Sequence, residues 1–291
     1  MSNNIKTKFV LFTDTRPEKI KKYRDLAALA YNDSPVPGGL TEEIKIGVEL
    51  TARLAREAET TGTSVENLLT NNLSAIPITY ALINEENGEM LGIGCILNSD
   101  YIRKRSKQGN NPKLAKDMEA HPNSWGCLEY MCLLPEVQGG GLGRILMNGL
   151  YEAADKLGLK NVAVICAEDR FGFYEKVGLN FSAYGSVIHD KWLRRAKLAD
   201  LIPEDVGAEI VAGDVTLKQV LGFLDKLDKE TDVKRAAERE KMTKKIGHPL
   251  STRKTKRINR RIRDITPPVR INGALVVGNV RCLTQKRPEM R

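Results

Sequence analysis

A glycine-rich turn between an apolar run and an amphipathic segment is the clearest chemical feature of this sequence. The apolar run covers residues 128–134 and suits a buried strand. It is followed by Gln138-Gly-Gly-Gly-Leu-Gly143, and then by apolar residues at three- to four-residue steps, which indicate a helix. Glycines let a ligand approach the backbone, and a helix N-terminus offers unpaired N–H groups and the positive end of a dipole. The pattern therefore predicts a phosphate-binding turn.

Two nucleotide-binding motifs do not fit this turn. The dinucleotide fingerprint requires a third glycine at the position where, counted from Gly139 and Gly141, Arg144 stands. The P-loop requires Gly-Lys-Ser/Thr, and no lysine follows these glycines. The spacing that does fit is Gln/Arg-x-x-Gly-x-Gly/Ala, with Gln138, Gly141 and Gly143 in place. This spacing resembles the pyrophosphate-binding motif of the GNAT superfamily of acyl-CoA-dependent N-acyltransferases.

A second motif strengthens the resemblance. The segment Phe173-Tyr-Glu-Lys-Val-Gly-Leu179 is similar to the Phe-Tyr-x-Lys-x-Gly-Phe signature that closes the GNAT core. The two motifs occur in the family's order, separated by one predicted helix and one predicted strand over 161–166. The resemblance covers residues 5–195 as a layout. It implies an α/β GNAT fold, in which a mixed, mostly antiparallel central sheet is flanked by helices and splays between its fourth and fifth strands, here followed by a basic C-terminal extension.

The resemblance also implies a cosubstrate and a reaction. The cosubstrate is acetyl-CoA, and its acetyl group passes to an amine by direct attack, without a covalent enzyme intermediate and without a metal. The cofactor contacts are expected at the strand end, the turn, the helix start and the closing motif. These residues are Leu133, Leu134, Gln138, Gly139, Gly140, Gly141, Leu142, Gly143, Arg144 and Phe173.

Two residues are candidates for proton transfer. The departing thiolate needs a proton donor, and the family analogy assigns this role to Tyr174, although a core aromatic next to Phe173 is the alternative. Glu129 is the candidate base, because burial in an apolar strand raises the pKa of a carboxyl group. The alternative is that strand alternation turns Glu129 toward solvent. Glu168 and Asp169 are weaker substitutes.

Two departures from the family pattern bear on activity. Many relatives carry an asparagine several residues before the closing tyrosine, whereas this sequence has Ala167-Glu-Asp-Arg-Phe-Gly172 there. In addition, Gln138 replaces the commoner arginine, which removes a positive charge near the pyrophosphate. Both departures are compatible with an enzyme that is weak or inactive.

The remaining elements must position these groups. Apolar patterns predict a first strand over 8–13, helices after Pro17, over about 41–57 and from 63 or 64, and two strands over 78–83 and 90–97. Asn87-Gly88 is typical of the hairpin turn between these strands. The polar, basic segment 101–123 is either a surface excursion or a lid over the acceptor site. Beyond 184, a strand over 186–189 is predicted to finish the sheet, and β-branched runs over 269–282 suggest a small hairpin.

The composition argues against several classes of protein. No apolar window of about 18 residues exists, so no membrane span is expected. The N-terminal residues lack the apolar region of a signal peptide. The three histidines are scattered and the five cysteines show no paired CxxC spacing, so neither a metal site nor a disulfide framework is expected.

The composition changes toward the C-terminus. Residues 230–291 hold 18 lysine and arginine residues against 6 aspartate and glutamate residues. We expect three parts: a GNAT-like acyl-CoA-binding domain over 1–195, an amphipathic helical segment over 196–229, and a basic extension over 230–291. The apolar face of the helical segment, with Leu217 to Leu227, requires a partner, which is either the first domain or another subunit of an oligomer.

The basic extension supports an alternative function. The stretch from Lys241 to Arg263 has ten basic residues and no acidic one. Such a run is either a solvated tail or a surface that neutralises the phosphates of a nucleic acid. In the second case the chain is a scaffold of a nucleic-acid-associated assembly, and its appendage resembles that of GNAT-like proteins encoded by tailed phages. The expected location is the cytoplasm for the enzyme and a phage virion for the scaffold. The sequence does not identify the amine acceptor.

Overall fold

The apolar runs of the sequence form the strands of two sheets in the computed structural model of the protein. The structure describes residues 5–29, 40–73, 76–98, 118–121, 124–182, 187–190, 194–197, 216–246, 255–256, 260, 270–271 and 274–285. Its strands are β1 (Thr7–Leu11), β2 (Ile78–Asn84), β3 (Met90–Asn98), β4 (Trp125–Leu133), β5 (Asn161–Cys166), β6 (Asn180–Ser182), β7 (Val187–Asp190), β8 (Arg194–Lys197), β9 (Arg270–Ile271) and β10 (Ala274–Asn279). Its helices are α1 (Pro17–Leu29), α2 (Leu40–Thr61), α3 (Val65–Asn71), α4 (Leu142–Lys156), α5 (Phe171–Lys176), α6 (Leu217–Ile246) and α7 (Val280–Gln285).

The central sheet has seven strands in the order β1-β2-β3-β4-β5-β10-β6. The pairs β1–β2, β2–β3 and β3–β4 are antiparallel, whereas β4–β5 is parallel. This mixed, mostly antiparallel sheet with flanking helices confirms the predicted fold class. The chain divides into two compact units, residues 1–164 with 277–291, and residues 165–276.

The sheet splays where the fold class requires it. Strands β4 and β5 pair only through Trp125–Cys127 of β4 and Asn161–Ala163 of β5 among the residues described. From Leu128 onward, β4 keeps its antiparallel ladder with β3 and leaves β5. The end of β4 therefore has no strand partner on the β5 side among the described residues, as the family resemblance implied.

The first unit has a helical layer on each face of its strands. On one face lie α1 and α2: the Tyr23 ring contacts Phe12 at 4.9 Å between centroids, and Thr51 Oγ1 lies 3.3 Å from Thr79 Oγ1. On the other face lies α4, where a Cβ added to Gly94 would meet Leu150 Cδ1 at 2.8 Å. The candidate site is built on strand β4 between these two layers.

The N-terminal elements follow the predicted pattern with small shifts at their ends. Helix α1 begins at Pro17, and α2 reaches Thr61, four residues beyond the expected end. Helix α3 begins after Ser64, whose Oγ accepts a hydrogen bond from the Asn67 amide at 3.1 Å. The hairpin between β2 and β3 turns through Gly88 at a φ of 69°.

The second unit contains the closing motif and a small three-stranded sheet. The small sheet has the order β8-β7-β9, so the prediction that the strand near 186–189 finishes the central sheet is wrong; β6 holds that place at the sheet's end. Periodicity within a strand does not encode which strand it pairs with. Helix α6 begins after Thr216, which exchanges side-chain and backbone hydrogen bonds with Gln219, as in a capping box. It continues to Ile246, well beyond Leu227.

The C-terminal segment does not form its own hairpin, and its residues 277–291 belong to the first compact unit. Strand β9 pairs with β7, and β10 lies between β5 and β6, so the predicted hairpin over 269–282 is wrong. The Val280 amide donates to the Lys160 carbonyl at 2.9 Å, and α7 packs on α4. The two compact units, residues 1–164 with 277–291 and residues 165–276, have boundaries that differ from the predicted ones at 195 and 229. The three-part division stays a prediction. Most of the 101–123 segment and of the stretch 241–263 lies outside the described residues.

Three expected absences can be compared with the described residues. All five cysteines are free thiols. No group of three or more histidine, cysteine, aspartate or glutamate side chains could hold a metal ion in the part of the chain that is described. None of the described helices combines the length and the apolar character needed to cross a membrane.

Candidate active site

The glycine-rich turn has the backbone that its sequence predicts. A short 3-10 helix, Pro135–Val137, follows β4 and leads into the turn. Gly139 and Gly141 have φ values of 83° and 84°, a region that side chains disfavour, so glycine is required at both positions. Gly141 is the N-cap of α4 and has no side chain to cap the helix. The helix N-terminus is therefore left open to an external acceptor.

The turn presents a row of uncommitted amides. Among the described residues, the backbone N–H groups of Gly139 to Gly143 make no hydrogen bond to a carbonyl, whereas the Arg144 amide donates to the Gly141 carbonyl at 3.0 Å. A Cβ added at Gly139 or Gly141 would meet nothing within 4 Å. Exposed amides, open space and a helix dipole together fit a pyrophosphate group. The backbone of Arg144 does not belong to this row, and its side chain is exposed.

Gln138 holds the turn against the end of β4. Its amide donates to the Pro135 carbonyl at 3.3 Å, and its side-chain Nε2 donates to the Leu133 carbonyl at 3.1 Å. The neighbouring Leu134 amide donates to the Leu91 carbonyl of β3 at 2.9 Å. The side-chain amide of Gln138 is thus committed within the protein, and the open N–H groups of the turn begin at Gly139.

A bulge interrupts β4 just before the turn. Cys95 of β3 pairs with Glu129, but Ile93 pairs with Cys132, so two residues of β4 oppose Gly94 alone. One of the two is Tyr130, whose φ of 56° lies in the left-handed region. The bulged part of β4, residues 128–133, contains no glycine that would predict this conformation.

Glu129 lies inside the protein, on the α1 side of the sheet. Its exposure is 8%, so the alternative of a solvent-facing side chain is wrong. Its Oε1 lies 3.7 Å from Cys127 Sγ, and its Cα partner is Cys95, whose Sγ contacts the Tyr23 hydroxyl at 3.3 Å. Paired residues of an antiparallel ladder share a face. Burial is the environment in which a carboxyl group becomes a useful base near neutral pH.

Two groups near Glu129, the Cys95 thiol and the Tyr23 hydroxyl, stay protonated near pH 7. Burial raises the pKa of the Cys95 thiol to about 12, and the nearby Glu129 charge adds to the effect. Burial also raises the pKa of Tyr23 well above its ordinary value, and its hydroxyl donates to the Tyr80 and Gly94 carbonyls, each at 3.0 Å. Neither group can accept a proton as an anion near pH 7, which leaves Glu129 as the candidate base of this cluster.

The closing motif belongs to the second unit. Tyr174 lies on α5 and is 9% exposed, and its carbonyl accepts from the Leu179 amide at 3.0 Å. Phe173 is 41% exposed and meets the Tyr174 ring edge-on at 5.2 Å between centroids. The substitutes Glu168 and Asp169 lie on a short 3-10 helix before α5, where Asp169 pairs with Arg170 at 3.4 Å. The first unit thus brings together Glu129 and the glycine-rich turn, and Tyr174 and Phe173 form a separate group.

Comparison with known families finds a match in the part of the chain that carries these motifs. A family model described as Acetyltransferase (GNAT) family matches residues 48–179, just under half of the 291 residues. The matched range contains β2 to β5, the glycine-rich turn and the Phe173–Leu179 motif. No curated protein matches the chain.

Several solved structures resemble parts of the chain. Glucosamine-6-phosphate N-acetyltransferase from Arabidopsis thaliana is 15% identical, with 61% of this chain and 93% of that one covered and a TM-score of 0.36. N-acetylglutamate synthase from Neisseria gonorrhoeae, solved with coenzyme A and L-arginine, is 10% identical over 60% and 28% of the two chains, with a TM-score of 0.36. This chain spans less than half the length of two of the proteins it matches. The family model covers the residues that carry the two motifs and strands β2 to β5 of the mixed sheet, so residues 48–179 of this chain are similar to the GNAT acetyltransferase family.

Proposed function

We propose that the protein is an N-acetyltransferase that moves an acetyl group from acetyl-CoA to an amine by direct attack. The observation that carries the proposal is the row of open amides at the N-terminus of α4, beside the splayed end of β4. A pyrophosphate is the group that such a row binds best, because several N–H donors and a helix dipole converge on it. The acetyl-bearing arm would extend from the turn along the open side of β4.

The chemistry requires two proton transfers. Acetyl-CoA supplies a thioester, whose carbonyl carbon accepts the amine nitrogen while the C–S bond breaks. Glu129 is proposed to take the proton that the amine loses, directly or through one water. Tyr174 is proposed to give its hydroxyl proton to the sulfur. Afterwards Glu129 releases its proton to solvent and Tyr174 regains one from solvent. The products are an acetylated amine and coenzyme A, with charge and protons balanced.

Acetyl-CoA binding is the first test. Titration of the full chain should raise its thermal unfolding temperature, because a ligand that binds only the native state stabilises it by about 2.7 kcal/mol at a hundredfold excess over Kd. The released thiol of coenzyme A then reports acetyl transfer across a panel of amines. Absence of binding at millimolar acetyl-CoA would overturn the proposal, whereas binding without transfer would leave a cofactor-binding protein that has lost its activity.

Replacing Tyr174 with phenylalanine should separate turnover from binding. The variant keeps the ring and loses the proton donor, so kcat should fall about 100-fold, the lower end of general acid catalysis. The affinity for acetyl-CoA, measured by the same titration, should change less than about twofold, because the amides of the turn supply the pyrophosphate contacts. An unchanged kcat would show that Tyr174 is only a core aromatic residue.

A further inference from the structure

The bulge in β4 carries a polar contact that the reaction above does not use. Tyr130 is 3% exposed, yet its hydroxyl donates a hydrogen bond of 2.8 Å to Oε2 of Glu43, a residue 87 positions earlier in the first turn of α2. Among the described residues, Tyr130 is the one non-glycine residue with a positive φ. Side chains disfavour this conformation, so the surrounding structure holds Tyr130 in it.

The Tyr130 hydroxyl contacts α2, one of the two helices on the face of the sheet to which the neighbouring Glu129 belongs. In a regular strand these neighbours would point to opposite faces. Glu129 pairs with Cys95, which contacts Tyr23 of α1, while Tyr130 contacts Glu43 of α2. Helices α1 and α2 pack against each other on that face. The hydroxyl end of Tyr130 and the candidate base therefore both lie on the side of the sheet that carries α1 and α2.

Glu43 is a fixed carboxylate that faces solvent. Its side chain is exposed, and one of its oxygens accepts the tyrosine hydrogen bond. No lysine or arginine in the described part of the chain forms an ion pair with it, whereas Asp25 of α1 pairs with Lys21 at 2.7 Å. The hydrogen bond orients Glu43 and leaves its second oxygen for another donor. An ammonium group suits that oxygen, because charge-assisted hydrogen bonds are the strong ones.

We propose that Glu43, oriented by Tyr130, determines acceptor specificity by binding a second, protonated nitrogen of the acceptor amine. The proposal rests on the proposed function, since it places the reacting nitrogen near Glu129. That nitrogen must be neutral to attack, so the cation that Glu43 holds is a different group of the same molecule. The acceptor class is accordingly a diamine or a longer amine with at least two nitrogens.

A matched pair of probes tests this without relying on turnover. The full chain, with and without saturating coenzyme A, is titrated calorimetrically with 1,5-diaminopentane and with 5-aminopentan-1-ol, which replaces one ammonium by a hydroxyl. The diamine should bind about tenfold more tightly or better, the usual difference between a charge-assisted and a neutral hydrogen bond. Glu43→Gln should remove that preference, and Tyr130→Phe should reduce it. Glu49→Gln, which removes an exposed carboxylate of the same helix, should keep it.

Each result decides the proposal. If the wild type binds the diamine no more tightly than the amino alcohol, Glu43 does not bind the second ammonium group. The same conclusion follows if Glu43→Gln lowers the affinity for both probes equally. If neither probe binds, the proposal also fails. Failure of coenzyme A to bind would instead count against the proposed function. A calorimetric titration with coenzyme A alone measures that binding separately. In an active preparation, Glu43→Gln should raise KM for the diamine and leave KM for acetyl-CoA unchanged.

Discussion

Replacing Gly140 with aspartate should weaken acetyl-CoA binding by about two orders of magnitude or more. Gly140 is exposed, its φ is not in the left-handed region, and a Cβ built there meets nothing closer than the Val137 carbonyl at 3.8 Å. The new side chain therefore fits without strain. It places a carboxylate among the open amides of the turn, where it repels the pyrophosphate and competes for its donors. Hydrogen bonds to charged groups contribute about 1.5–3 kcal/mol each, so losing one or two accounts for the change.

Gly140→Asn is the matched control. Asparagine has nearly the same shape as aspartate but no charge, so the neutral variant should bind acetyl-CoA within about tenfold of the wild type if charge is the cause. The difference between the variants should also shrink at high salt, because ions screen exposed charges. Wild-type affinity in the aspartate variant, with its folding unchanged, would show that the pyrophosphate does not lie at this turn.

The sequence predicts the backbone of the proposed cofactor-binding turn, because the residues that determine it are local. Gln138 to Gly143 specify a tight turn and a helix start within six residues, and both positive φ values are found at glycines. The same holds for the hairpin through Gly88, where the turn residue fixes the pairing of β2 with β3. In each case the residues that predict the turn are the same residues that adopt its backbone conformation.

The proposed acceptor side could not be predicted from the sequence, because its contacts join distant parts of the chain. The Tyr130–Glu43 hydrogen bond depends on a bulge, and a bulge arises from the register of two strands rather than from the residue that occupies it. Burial of Glu129 depends likewise on a distant element, because α1 of the N-terminal part of the chain packs on β3 and β4. The sequence pattern predicts a strand at β10. Its place between β5 and β6 could not be predicted, because the pattern of one strand does not specify which strands it pairs with.

The packing of α4 on the sheet is the basis of a second prediction, which concerns the free energy of unfolding. A Cβ added at Gly149 would lie 2.4 Å from Cγ of Phe9 and 2.5 Å from Cδ2, well inside van der Waals contact. The Phe9 ring cannot easily yield, because it stacks on Tyr80 at 5.3 Å between centroids. Gly149→Ala should therefore destabilise the protein by about 1–3 kcal/mol, the usual range for overpacking, although alanine favours helices over glycine by about 1 kcal/mol.

Thermal unfolding of three further variants, namely Gly222→Ala, Phe9→Leu and the double variant of Phe9→Leu with Gly149→Ala, shows whether the steric contact is responsible. Gly222 lies within α6 with nothing within 4 Å of its added Cβ, so Gly222→Ala should be neutral or stabilising by about 0.5–1 kcal/mol. Adding Phe9→Leu to Gly149→Ala should cost less than the sum of the two single changes, because the smaller side chain makes room for the methyl group. Additive losses would mean that α4 shifts as a unit instead. Since α4 carries the open amides at its N-terminus, such a shift should also weaken acetyl-CoA binding, whereas relief by Phe9→Leu should restore it.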